Sequence, residues 1–214
     1  MGRGTIAEML ARHGIEPAPE RERKTTWKEF LRQHWDLIVA ADFFTIEAWT
    51  PRGLQRFMVL FLMELSTRKV KIAGIAPSPN GLWMNQIGRN LTDVVDGILK
   101  GKRYLFHDRD PLFTTEFLQT LADCGVASVK LNAHAERFVR TIKESCLERM
   151  ILFGEDAVRK ATAEFIAHYH TERNHQGLDN ARICPDPGHA VIQGRVHRRE
   201  RLGGLLNYYY RKAA

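Results

Sequence analysis

Leu37 to Trp49 reads LIVAADFFTIEAW, a long apolar run with Asp42 at its centre. β-branched and aromatic residues in such number, bounded by Thr50-Pro51-Arg52-Gly53, predict a strand buried on both faces. Further strands are expected over Gln55 to Leu65 and Lys69 to Ile75, and the short turns between them make an antiparallel meander. Leu82 to Leu99 then switches to helical spacing through Trp83, Ile87, Leu91 and Ile98, and Gly101 ends it. Arg103 to His107 predicts a fourth strand running into Asp108-Arg109-Asp110-Pro111. A helix is expected over Thr114 to Cys124, stopped by Gly125, and a fifth strand over Val126 to Leu131.

Asn132 to Phe153 predicts one long helix. Ala135, Phe138, Val139, Ile142, Cys146 and Met150 form its apolar stripe, while Glu136, Arg140 and Lys143, at i, i+4 and i+7, share another face. Glu155 to His170 reads as a further helix, and after Leu178 the pattern dissolves into Pro-, Gly- and Arg-rich sequence. Ahead of the strands lie a short helix over Thr5 to Arg12, a polar linker and an amphipathic helix over Trp27 to Trp35. Three meander strands followed by helix, strand, helix, strand and helices predict an α/β fold, a mixed five-stranded sheet with helices packed on its faces.

Composition narrows this picture only slightly. The chain has 214 residues, 44% hydrophobic and 27% charged, enough for one substantial core. Its longest apolar run, Phe57 to Met63, is too short to span a bilayer, and residues 1–14 lack the apolar core of a signal peptide, so a cytoplasmic protein without membrane contact is expected. Cys124, Cys146 and Cys184 stand far apart, without the spacing of a zinc site or a disulfide framework. A net charge of +7 and a pI near 9.5 favour a polyanionic partner.

Asp42 is the first residue whose chemistry needs an account. A carboxylate in a buried strand is neutral, paired or metal-bound, unless it sits near a strand end bonded to backbone amides. Asp108 falls just past the fourth strand and Glu136 one turn into the long helix, and ligands of such sheets gather at strand ends and adjoining helix starts. Three converging carboxylates would repel one another without a divalent cation, and hard oxygen donors suit Mg²⁺ or Mn²⁺. Spacing leaves both the metal and the backbone-bonded readings open.

Four ordered motifs carry a resemblance: Asp42-Phe43-Phe44-Thr45, Glu64-Leu65-Ser66-Thr67-Arg68, His107-Asp108-Arg109-Asp110-Pro111-Leu112-Phe113, and Asn132-Ala133-His134-Ala135-Glu136-Arg137-Phe138. Together they resemble the integrase core of DDE-type insertion-sequence transposases and retroviral integrases. Tyr169 to Leu178 resembles the Tyr-x-x-x-Arg-x-His-x-x-Leu ending of that core in bacterial transposases. The resemblance covers roughly residues 27–178 and implies a ribonuclease H-like fold with helices on both faces of the sheet. It implies a DDE polynucleotidyl transferase that cleaves and joins DNA in transposition, with Asp42, Asp108 and Glu136 as catalytic and metal-binding residues for Mg²⁺ or Mn²⁺ in a two-ion site. Asn132, Arg140 and Lys143 are then expected to contact DNA, and the partners are element ends, target DNA and further copies of the chain. A bacterial, nucleoid-associated setting follows.

On this reading residues 1–24 are a remnant of a helix-turn-helix plus linker, 25–178 the catalytic core and 179–214 a basic C-terminal tail. Only 27 residues lie between Asp108 and Glu136, fewer than such cores usually have, because Lys130-Leu131 abuts Asn132. Strand-to-helix connections take about 2 to 6 residues, so the fifth strand is expected to end early or the helix to begin late. The short junction also admits a catalytically impaired remnant that only binds DNA or pairs with intact transposase. A nuclease acting on RNA–DNA hybrids is a third reading, against which the Tyr169 to Leu178 ending speaks.

Overall fold

The computed structural model describes residues 26–130, 135–185 and 194–211. The chain divides into two compact units, residues 1–34 and 35–214. In the first, helix α1 (Trp27–His34) opens with a capping box. The Thr26 backbone N–H donates to Glu29 Oε2 at 2.9 Å and the Glu29 N–H to Thr26 Oγ1 at 3.3 Å, so two donors left over at the helix start are satisfied reciprocally. Trp27, Phe30 and His34 stack along one side of this helix.

The second unit is built on a five-stranded sheet. Strands β1 (Ile38–Thr50), β2 (Gly53–Glu64) and β3 (Val70–Ala76) form the antiparallel meander, and β4 (Tyr104–His107) and β5 (Ala127–Lys130) add in parallel on the other side of β1. The spatial order is β3-β2-β1-β4-β5. Phe44, Ile46 and Ala48 of β1 and Phe57, Val59, Phe61 and Met63 of β2 face one side, where they meet helices α4 (Glu136–Ser145) and α5 (Gly154–Thr171). The intervening residues Val39, Ala41, Leu60 and Leu62 face the other, against α2 (Gly81–Leu91) and α3 (Thr115–Asp123). Burial on both faces is what made β1 and β2 read as continuous apolar runs. Gly74 lies at a register shift in β3 opposite Leu60, and a Cβ there would run into the Trp83 indole, so α2 approaches the sheet through that gap.

Two helices are shorter than their periodicity implies. The first does not reach Leu99: α2 ends at Leu91, where the Thr92 hydroxyl donates to Gly88 O and Asp93 Oδ1 accepts the Val95 and Asp96 amides. A side chain that offers the backbone such bonds competes with the helix. The second does not run from Asn132 to Phe153. Its first helical residue is Glu136, residues 131–134 lie outside the described chain, and at Cys146 the backbone leaves the helix for a 3₁₀ turn over Leu147–Arg149. Beyond that turn the chain is tied to β1, where Trp49 donates its N–H to Leu152 O at 2.8 Å. Extending the sheet edge by that bond draws the chain out straight, while Cys146 stays fully buried and Met150 remains packed on the core.

Beyond Leu178 the structure adds an element that hydrophobic pattern did not suggest. Strands β6 (Val196–Arg201) and β7 (Leu206–Arg211) pair as a hairpin. Leu206 joins the α4/α5 core, and Glu172, at the end of α5, is buried beneath the hairpin. Its carboxylate accepts from Arg201 Nη2 at 2.8 Å and Nε at 3.1 Å and from Arg199 Nη1 at 3.3 Å, and meets His168 Nδ1 at 2.8 Å. Burial alone would raise the Glu172 pKa, but the bonds from Arg201, His168 and Arg199 outweigh it and hold the group below its ordinary value of 4.5.

At the centre of the larger core stands Phe138 of α4. Its ring lies 4.7 Å from Phe61, 5.2 Å from Tyr169, 6.1 Å from Phe165 and 6.5 Å from Phe44, measured between centroids. Phe138→Ala is expected to lower the unfolding free energy by about 3–5 kcal/mol; a loss under about 1 kcal/mol in denaturant melts would show that the cluster does not depend on this ring. The Glu172 clasp makes a second prediction. A depressed carboxylate contributes stability that is present above its unfolded pKa and is lost as pH falls through its folded value. Thermal melts from about pH 6 to about pH 3 should show an acid-labile component that Glu172→Gln, already weakened at neutral pH, lacks.

Candidate active site

β1 and β4 pair in parallel through Ile38–Tyr104, Val39–Leu105 and Ala40–Phe106. Asp42 and Asp108 each follow the last of these partners by the same number of residues, so both lie just beyond the paired stretch of β1 and β4. Asp42 has the strand parity of Phe44, which places it on the α4 side of the sheet. Its Oδ1 accepts the Phe43 backbone N–H at 2.8 Å. Asp108 is the first residue past β4, and its Oδ1 accepts the Asp110 N–H at 3.1 Å, while Asp110 Oδ1 accepts the Leu112 N–H at 2.8 Å. Asp110 is thereby committed to shaping the turn, and both aspartates at the strand end stay partly exposed to solvent.

His107 holds this turn from below. Its ring is buried against Phe113, 4.4 Å between centroids, and Nδ1 lies 2.6 Å from Asp108 O, which makes that nitrogen the donor. Burial lowers its pKa, against the raising pull of the Asp108 backbone bond and charge, so the imidazole is neutral and fixes the Asp108 backbone as a single donor. The sequence pattern had no means of assigning His107 this role; its only signal was its place as the last residue of a short buried strand.

Glu136 is the first residue of α4 and is exposed. A carboxylate in the first turn is favoured there by the unpaired amides and the helix dipole. Two residues on, Phe138 packs on Phe61, which is the cross-strand partner of Asp42. That contact brings the start of α4 to the part of the sheet where Asp42 lies. Even so, among the described residues no group of three or more His, Cys, Asp or Glu side chains is placed to hold a metal ion. The donor chemistry of Asp42 and Asp108 suits a hard cation. Glu136 does not complete a cage with them in this arrangement.

Of the residues expected to meet DNA, Arg140 is exposed one turn after Glu136, and Lys143 lies half-buried beside Glu47 and Arg56 in a shallow cleft of about 270 Å³. Asn132 lies outside the described residues. No helix among the described residues is long and apolar enough to cross a membrane.

The fold has relatives. Residues 125–182 match the family model of the integrase core domain. No curated protein matches the chain in sequence. Among solved structures, the HTLV-2 integrase catalytic core domain in complex with magnesium aligns in its trimeric form with a TM-score of 0.50 at 12% identity, covering 69% of this chain and 93% of that one. Its dimeric form aligns at 0.47 and 12% identity, covering 66% and 90%. A pre-cleavage Mos1 transpososome aligns at 0.49 and 14% identity, covering 78% and 64%. The chain thus resembles the integrase core domain in sequence over residues 125–182, and its mixed five-stranded sheet has the ribonuclease H-like fold of the integrase catalytic core.

Proposed function

We propose that this chain is the catalytic core of a DNA transposase or integrase of the DDE class, a polynucleotidyl transferase that cuts a phosphodiester bond and joins the freed end to another DNA. Two aspartates that follow the last β1–β4 partners by the same number of residues, in a fold and beside a sequence segment similar to integrase cores, carry this reading. Asp42 and Asp108 would hold Mg²⁺ or Mn²⁺, with Glu136 as the third donor supplied by the start of α4. Bound there, divalent ions lower the pKa of an attacking water or 3′-hydroxyl and offset the charge on the leaving oxygen. The chain's own part is positioning. His107 and the nested Asp108–Asp110 turn fix one carboxylate, the β1 ladder fixes the other, and Phe138 sets where α4 begins. Arg140 and Lys143, following Glu136 on the same helix, would neutralise backbone phosphates of the bound strand, and Asn132, which precedes that helix in the sequence, would join them. Self-association on DNA is part of this reading, in keeping with the dimeric and trimeric forms of the HTLV-2 core.

A second reading has its own support in the absence, among the described residues, of a three-donor metal group and in the short Asp108-to-Glu136 connection. On it the chain binds DNA, or pairs with an intact transposase, without cutting. Metal-dependent nicking of labelled duplex carrying the ends of its own element separates the two. Active protein should cut with Mg²⁺ or Mn²⁺, and Asp42→Asn, Asp108→Asn and Glu136→Gln should each lower the rate at least about a hundredfold, as expected when about 3 kcal/mol of transition-state stabilisation is removed. Salt-sensitive DNA binding without cleavage at any metal concentration would select the second reading. Full activity in Glu136→Gln would remove that residue from the site.

A further inference from the structure

A cleft of about 260 Å³ opens between the β2–β3 turn, the start of α4 and the chain leaving α5. Arg68, Arg137 and Arg173 line it, one from each of those three segments, and Asn174, His175 and Gln176 add further polar groups. No acidic residue is among its lining. Among the described residues none of the three arginines is ion-paired, whereas Arg56, Arg159, Arg199 and Arg201 all are. Arg68 and Arg173 are moreover half-buried, where a guanidinium without an anion is costly to keep.

The three charges converge. Burial raises the pKa of the Tyr169 hydroxyl, and Arg173, Arg68 and Arg137 all pull against that rise. Burial lowers the pKa of His175, and the charges of Arg173 and Arg68 lower it further, so this imidazole is a neutral hydrogen-bonding group beside the arginines. The backbone is bent to hold the arrangement. Arg68 adopts φ +62°, a left-handed conformation that suits glycine or asparagine, yet the turn keeps an arginine. Gly177 lies directly under that guanidinium, and a Cβ there would come within 3.4 Å of Arg68 Nη2. A strained arginine resting on a glycine, facing two further arginines across an acid-free cleft, is built for an anion that accepts several hydrogen bonds at once.

We propose that this cleft binds a backbone phosphate of a DNA strand, at a contact separate from the carboxylates of β1 and β4. The choice of a strand phosphate rests on the DNA-acting reading above and on continuity of charge. Arg137 directly follows Glu136, and Arg140 and Lys143 lie farther along the same helix. A strand held in the cleft at the N-terminal end of α4 would meet these further cations along that helix.

The test compares the wild-type chain with Arg68→Gln/Arg173→Gln, Arg68→Lys and Arg140→Gln/Lys143→Gln. Association with a labelled duplex is measured by anisotropy across a salt series, and thermal melts are run with and without inorganic pyrophosphate as the small probe. The double cleft variant should melt near the wild-type temperature without pyrophosphate and lose the upward shift that pyrophosphate gives the wild type. Its DNA affinity should fall at least about tenfold on every sequence tried, and its log–log salt slope should shrink by about one to two. Arg68→Lys, which keeps the charge and loses the planar fork, should retain the slope and lose part of the affinity. A folded double variant with wild-type slope and affinity overturns the proposal. Wild-type protein that binds pyrophosphate through these arginines but binds no DNA overturns both the strand assignment and the DNA-acting reading, and leaves a site for a free phosphate compound. DNA binding lost only in Arg140→Gln/Lys143→Gln overturns the cleft alone.

Discussion

Phe138 is the residue on which the arrangement turns. Its ring touches aromatic rings from β1, β2 and α5 at once, and each such pair adds about 0.5–1.5 kcal/mol beyond simple burial. Because interiors pack as densely as organic crystals, a ring so enclosed cannot slide without vacating its neighbours' contacts. The start of α4 is therefore fixed through its third residue and not through a cap, since Ala135 supplies no side-chain bond there. Glu136 and Arg137, two and one positions before Phe138, inherit their places from it. Glu136 opens the helix, and Arg137 lines the arginine cleft.

The sheet was legible in the sequence for a simple reason. β1 and β2 are buried on both faces, so their composition is apolar almost throughout, and β4 and β5 are delimited by Gly101, Asp108 and Gly125. That Asp42 and Asp108 belong to neighbouring strands could be anticipated from that order of elements, although which residues of β1 stand beside β4 needs the paired backbones. Helix ends were less legible, because periodicity records which residues face the core and not which backbone they use to get there. Cys146 and Met150 keep the apolar stripe of α4 going after the helix has stopped. The chain beyond it is tied to Trp49, roughly a hundred residues earlier, and no local window contains that information.

The hairpin escaped for a different reason. Its strands read VHRRER and LNYYYR, with charges and tyrosines where an inward face would ordinarily be apolar. It is seated largely by a carboxylate gripped between guanidinium groups, an interaction that leaves no hydrophobic alternation to read. The Tyr169 to Leu178 segment shows the converse. The motif was visible, yet several of its members are occupied structurally: His175 Nε2 lies 2.8 Å from Tyr169 O, and His170 Nε2 takes the Val70 amide at 2.9 Å. Arg173 supplies that segment's positive charge to the cleft, beside Asn174, His175 and Gln176.

At Arg68 two evolutionary pressures oppose each other. The left-handed backbone suits a residue without a bulky Cβ substituent, so mutational drift under selection for stability alone would carry the position towards glycine or asparagine. Retaining arginine makes sense only while something is gained from its charge. In descendants of this chain the identity of residue 68 would therefore record whether the cleft is still in use, and it would do so even in copies whose carboxylates had already been lost.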